Sequence, residues 1–123
     1  MKNLIIDAAT DKILFKIIVD NKSYTSDYPN SRENFDKFAM LLFNFLKKNK
    51  IKLKEINNIF INQGPGKFSG IRTSIAIAKG ISITNKLNLY GFDAQQVEDQ
   101  NYDKIIDLFN KGFLTKNLIK PHY

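Results

Sequence analysis

The chain has no cysteine, so it can build neither a disulfide framework nor a thiolate nucleophile. Its single histidine is His122. One histidine in that position argues against a histidine-based metal site and gives a Ser-His-Asp arrangement little support. No apolar run approaches the roughly 20 residues that a membrane-spanning helix needs. The first apolar stretch follows Lys2 and ends at Asp7, too short for the hydrophobic part of a secretory leader. A cytoplasmic protein with no membrane contact is the resulting expectation. Arginine is scarce as well: Arg32 and Arg72 stand against 17 lysines. The net charge of +7 would suit a nucleic-acid partner. Arginine, however, is the residue that grips phosphates bidentately and reads bases. Lysine, asparagine and isoleucine, all abundant here, share A/T-rich codons, so codon bias is a rival explanation of the basicity. With 123 residues and 43% hydrophobic content, the chain suits one globular unit with a small core.

What the chain does have is a glycine-rich loop, Gln63-Gly64-Pro65-Gly66-Lys67-Phe68-Ser69-Gly70-Ile71-Arg72. It follows Ile59-Phe60-Ile61, which reads as a buried strand, and precedes Ile71 to Asn85, which reads as a helix. A strand–loop–helix of this kind aims unpaired amides and the positive end of a helix dipole at one spot. It can hold an anion, with Gly64, Gly66, Lys67, Ser69 and Gly70 as the candidate phosphate loop. It can equally be a tight turn that lets a helix pack closely on a sheet. Two known glycine motifs fail. The dinucleotide fingerprint needs G-x-G-x-x-G, and Gly64-x-Gly66-x-x-x-Gly70 is one residue too long. A P-loop needs a hydroxyl after G-K and a glycine five residues before the second one; Phe68 and Ile61 stand there.

The rest of the pattern predicts the order βββαβαβ. Strands are expected over 2–7, 12–20, 23–28, 59–62 and 88–92, with a tight turn at Asp20-Asn21 and the third strand near an edge. Ser31 opens a helix expected to run unbroken to about Asn49, and Ser69 sits where the N-cap of the second helix belongs. The meander followed by crossovers gives an α/β fold, a mixed sheet with helices on its faces. Both helices carry two apolar stripes. Phe35, Phe38, Leu42, Phe45 and Leu46 form one, with Ala39, Met40 and Phe43 on another side. Ile71, Ile75, Ala78 and Ser82 form another, with Ala76, Ile77, Gly80, Ile83 and Thr84 beside it. One stripe of each helix can pack on the sheet and the other needs a cover. Ala76 and Gly80 leave a flat groove for a second helix. The two helices could cover each other, or the tail after Ala94 could cover them. Because that tail is polar and short, an interface with another chain is expected through Met40, Phe43, Arg72, Ala76, Ile77 and Gly80, on helices 34–49 and 70–85. Asp7 ends the first strand, where it reads as the cap of the neighbouring turn.

The loop also has a family likeness. Gly64-Pro65-Gly66-Lys67-Phe68-Ser69-Gly70-Ile71-Arg72, followed by Ala76-x-Ala78-Lys79-Gly80, resembles the G-P-G-S-F-T-G-[LI]-R…A-x-A-K-G signature of the TsaB (YeaZ) family. Leu4-Ile5-Ile6-Asp7-Ala8-Ala9-Thr10 is similar to that family's opening I-x-A-I-D-T-S-T, and Pro121-His122-Tyr123 to the P-x-Y near its end. Lys67 replaces a small hydroxyl residue, and Asn30-Ser31-Arg32-Glu33 lacks the histidine of a His-Ser-Glu-like segment. The resemblance implies one lobe of the actin-like ATPase (ribonuclease-H-like) fold. Residues 1–93 would be the TsaB-like N-terminal lobe and 94–123 a remnant tail with one helix, most of the second lobe being absent. Actin-like folds place a metal-and-phosphate aspartate where Asp7 stands, but nucleotide there lies between two lobes, and one lobe cannot close such a cleft. The implied function is a non-catalytic scaffold or activating subunit in threonylcarbamoyladenosine (t6A) synthesis on tRNA. Its partners would be the catalytic subunit TsaD and the ATPase subunit TsaE, with tRNA engaged indirectly and a homodimer formed when alone. No cofactor, metal or catalytic residue of its own is expected, and ATP would enter only at a shared interface. Two rivals stand beside this reading: a phosphate-binding hydrolase or kinase-like enzyme using Asp7 and the glycine loop, and a small basic RNA-binding protein.

Overall fold

Three consecutive strands, β1 (Lys2–Asp7), β2 (Lys12–Val19) and β3 (Lys22–Pro29), form an antiparallel meander. The computed structural model describes residues 1–116 and 119–122, with the backbone alone for 98–100. Alternation does the work in β2: Ile13, Phe15 and Ile17 are fully buried, while the residues between them are partly exposed. Val19 pairs with Lys22, so Asp20-Asn21 is a two-residue turn, and Asp20 takes the left-handed φ of 52° that aspartate tolerates there. Next come α1 (Arg32–Asp36), α2 (Phe38–Lys48), β4 (Asn58–Asn62), α3 (Phe68–Asn85), β5 (Asn88–Phe92), α4 (Asp103–Asn110) and β6 (Thr115–Lys116). The sheet order is β3-β2-β1-β4-β5-β6, with β1, β4 and β5 parallel and the other pairs antiparallel. β1 and β4 are therefore central, and β4 is buried along its whole length.

The pleat divides the core in two. Leu4, Ile6, Ile59 and Ile61 face α2 and α3, meeting Phe38, Leu42, Phe45, Ile71, Ile75 and Ala78. Ile5, Phe60 and Phe92 face the other way, onto Val97, Tyr102 and Ile105. Phe109 of α4 seals that side, edge-on to Phe60 at 5.4 Å and to Tyr90 at 4.9 Å. The segment after Ala94 thus covers the face of the sheet opposite α2 and α3, and among its described residues only Ile119 returns to the first cluster.

Four expectations need correction. The first helix is not continuous: it breaks at Lys37 (φ −106°, ψ 10°) into α1 and α2. Ser31 caps α1 as its position suggests, accepting from the Asn34 amide. Asn34 and Asp36 are weak helix formers, so the break is inexpensive, and it lets α1 contact α3 as well as α2. Ser69 is not an N-cap. The amide of Lys67 donates to the Ala9 carbonyl at 2.7 Å, which fixes the chain two residues earlier, and α3 starts at Phe68 with Lys67 as a cap lacking a side-chain bond. β3 runs past the expected end at residue 28 to include Pro29, a proline tolerated because β3 is an edge. Lastly, Thr115–Lys116 adds a sixth strand against β5; two residues carry no periodic signal.

Candidate functional site

The carboxyl ends of the parallel strands β1, β4 and β5 meet at Asp7, Asn62 and Phe92, the edge at which open α/β sheets bind ligands. In this chain the edge is filled by a hydrogen-bonded polar cluster. Asp7 is only 4% exposed. Its Oδ1 accepts from the Ala9 amide and from Asn62 Nδ2, each at 3.1 Å, and its Oδ2 accepts from the Tyr102 hydroxyl at 2.6 Å. Asn62 Oδ1 accepts in turn from the Gly64 amide at 2.8 Å. Gln63 donates its amide to the Phe92 carbonyl, and its own carbonyl accepts from the His122 amide at 2.7 Å. His122 Nδ1 lies 3.0 Å from Asp93 Oδ1. Asp7 therefore caps the turn after β1 and also ties that turn to Tyr102, almost a hundred residues later. Tyr123 lies outside the described residues.

Burial pushes the Tyr102 phenol well above the ordinary tyrosine range, and the neighbouring Asp7 charge and hydrogen bond push it further. The native state then keeps a proton that the unfolded chain gives up near pH 10, so the stabilisation present below that pH is lost as pH rises beyond it. Tyr102→Phe should cost about 1.5–3 kcal/mol at neutral pH, because a buried carboxylate oxygen loses its donor. It should also flatten the loss of stability above about pH 10. Urea unfolding at pH 7.5 and 10.5 checks both statements.

The glycine loop is held against the turn after β1. A Cβ on Gly66 would lie 2.2 Å from the Ala9 carbonyl oxygen, and one on Gly70 would lie 2.1 Å from that of Ala8. Asn30 Nδ2 donates to the same Ala8 carbonyl at 2.9 Å. These two glycines are thus required by backbone close approach. Of the five candidate phosphate-loop residues, Gly66, Lys67 and Ser69 are exposed, and Gly64 and Gly70 are buried.

The outer side of the helical layer is different in character. Met40 is 50% exposed, Phe43 47% and Ile83 79%. Ala76 and Gly80 are exposed on α3, Ile77 is partly buried, and a Cβ on Gly80 would meet nothing within 4 Å. Arg72, Ala76 and Ile77 share a groove of about 460 Å³ with Arg32, Phe35 and Phe68. Phe43 lines a separate hollow of about 410 Å³ with Leu46, Ile51 and Leu53. Met40 and Gly80 line neither of these two hollows. The sequence reading missed Asn30, Arg32, Asn62, Gln63 and Tyr102. Asn62-Gln63 did carry a signal, since polar residues ending a buried strand must find partners; Tyr102 carried none.

The chain matches known proteins consistently. A family model described as "TsaD: tRNA N6-adenosine threonylcarbamoyltransferase" matches residues 29–97, more than half of the chain. The tRNA threonylcarbamoyladenosine biosynthesis protein TsaB of Buchnera aphidicola subsp. Schizaphis graminum (strain Sg) is 30% identical over 94 residues, covering 76% of this chain and 45% of that protein. TsaB of Buchnera aphidicola subsp. Baizongia pistaciae (strain Bp) is 49% identical over 43 residues, covering 35% of this chain and 20% of that protein. This chain spans less than half the length of the curated relatives it matches. YeaZ from Pseudomonas aeruginosa has the same fold, with a TM-score of 0.74 at 15% identity over 90% of this chain and 50% of that one. RuvC of T. thermophilus, in complex with Holliday junction substrate, reaches 0.64 at 8% identity over 94% of this chain and 99% of that one. The architecture is therefore that of a single ribonuclease-H-like unit, and the chain belongs to the TsaB (YeaZ) family.

Proposed function

We propose that this chain is a non-catalytic subunit in the synthesis of threonylcarbamoyladenosine on tRNA, and that it binds and activates the catalytic subunit TsaD through the outer face of α2 and α3. The observation that carries the reading is the contrast between its two surfaces. The strand edge where a ligand would bind is filled by the chain's own Asp7–Asn62–Tyr102 cluster. The helix face leaves Met40, Phe43 and Ile83 in solvent, and Gly80 gives a partner helix room to approach. In the absence of TsaD the same face pairs two copies of this chain, and TsaE joins the assembly without contacting a catalytic group here. The family relationship supports the pathway. The test is affinity co-purification with the TsaD subunit of the same cell, where recovery of a stoichiometric complex is expected. Failure to form one at micromolar concentrations would overturn the reading.

The isolated chain should bind magnesium-ATP no more tightly than millimolar, about −4 kcal/mol. One sheet edge, already occupied by Tyr102, buries too little of a nucleotide to offset its lost freedom. Calorimetry reads this directly. Micromolar binding would restore the kinase-like alternative.

A further inference from the structure

The chain has two arginines, and both line one groove. Arg32 comes from α1 and Arg72 from the first turns of α3. The break at Lys37 matters here, because it lets α1 lie against α3 instead of continuing the axis of α2. Beside the arginines the lining is mixed: Phe35, half-exposed Phe68 and Ile77 are apolar, while Ser69 and Thr73 carry hydroxyls. Arg72 stacks on the Phe68 ring, its guanidinium carbon 5.3 Å from the centroid, which holds the planar fork in place. Among the described residues neither arginine has an ion-pair partner, although Asp36 borders the same groove.

We propose that this groove docks a segment of a partner protein that presents one carboxylate flanked by an apolar side chain. The carboxylate meets Arg32 and Arg72, and the apolar group lies on Phe35, Phe68 and Ile77. Charge complementarity selects this occupant. A planar guanidinium pairs with a carboxylate through two parallel bonds, and the stacked Arg72 has less freedom to lose in doing so. A nucleic-acid strand fits worse. None of the 17 lysines lines the groove, and a run of phosphates would pass Asp36. The inference deepens the proposed function, in that it states the chemistry that the partner must offer to one part of the helix face.

The test starts without any named partner. Twelve-residue random peptides displayed on phage are selected on the full chain. Enriched peptides should carry Asp or Glu next to an apolar residue. Their affinity should fall about tenfold or more for Arg32→Gln/Arg72→Gln, and by a smaller factor for Arg72→Lys, which keeps the charge and loses the fork. Arg32→Gln alone spares the Phe68 stack and keeps the test valid if the double variant melts early. Peptides without acidic residues, no enrichment, or equal binding to the variants would overturn the proposal. So would a double variant that loses only tRNA binding, or only self-association, which would give the groove to RNA or to a second copy. The purified TsaD subunit forms a separate arm, with a loss of about tenfold expected for the double variant. If unaltered chain does not bind TsaD, the proposed function fails while the peptide result stands. If it binds and the double variant binds equally, the proposal fails and the proposed function stands.

Discussion

Gly80→Leu should weaken association of this chain by about 2 kcal/mol, roughly thirtyfold in Kd, while leaving the isolated fold intact. The two halves of that expectation have separate causes. Within the chain, a side chain at Gly80 points into open space, so it displaces nothing. It also removes the cost of glycine in a helix interior, about 1 kcal/mol relative to a good helix former. Across an interface, the same side chain fills the space that lets a second helix lie close to Ala76 and Gly80. The melting temperature should therefore stay level or rise as association falls. Sedimentation velocity, run with TsaD and on the chain alone, reads the second effect. Unchanged sedimentation would remove Gly80 from any interface.

The opposite outcome is expected at another glycine of the same signature. Gly66→Ala should destabilise the fold by about 3 kcal/mol, since the added methyl meets a backbone carbonyl that cannot swing aside. That carbonyl, of Ala9, also holds the Lys67 amide that sets the start of α3. The helix would have to shift along the sheet, or the turn after β1 would have to open and disturb the Asp7 cluster. Urea denaturation compares Gly66→Ala with Gly80→Ala, which should be neutral or stabilising by up to about 1 kcal/mol. Equal midpoints for the two would mean that the loop is not held as described. Glycines of one signature thus serve two ends here. One lets backbones touch inside the chain, and the other leaves room outside it.

The sequence made some of this legible, and the reasons are local. The alternation of Ile13, Phe15 and Ile17 marks β2, and the 3.6-residue spacing of Leu42, Phe45 and Leu46 marks the buried side of α2, because each pattern repeats along one element. The glycine loop could be placed between strand and helix because its neighbours are strongly apolar. The break at Lys37 could not be read, since it depends on α1 meeting α3, a contact between residues distant in sequence. Tyr102 illustrates the same limit. Its neighbours are polar, yet it is 4% exposed and bonded to Asp7 from the far end of the chain. The start of α3 lies two residues before the position that Ser69 suggests, because Ser69 has the chemistry of a cap, whereas Lys67 is fixed there by Ala9. Arg32 and Arg72 stand 40 positions apart in sequence, and only the packing of α1 on α3 puts them in one groove.

The central claim is a division of labour: this chain supplies a helix face, and another subunit supplies the chemistry. Reconstituted tRNA modification with purified TsaD and TsaE, scored as threonylcarbamoyladenosine formed, tests it most directly. Asp7→Asn keeps the shape of the carboxylate and its bonds to Ala9 and Asn62, and it leaves an amide that can donate to the Tyr102 oxygen. That variant should retain most of the activity, while Gly80→Leu and omission of the chain should remove most of it. Loss of activity in Asp7→Asn with folding and TsaD binding intact would contradict the claim, and so would full activity with the chain left out.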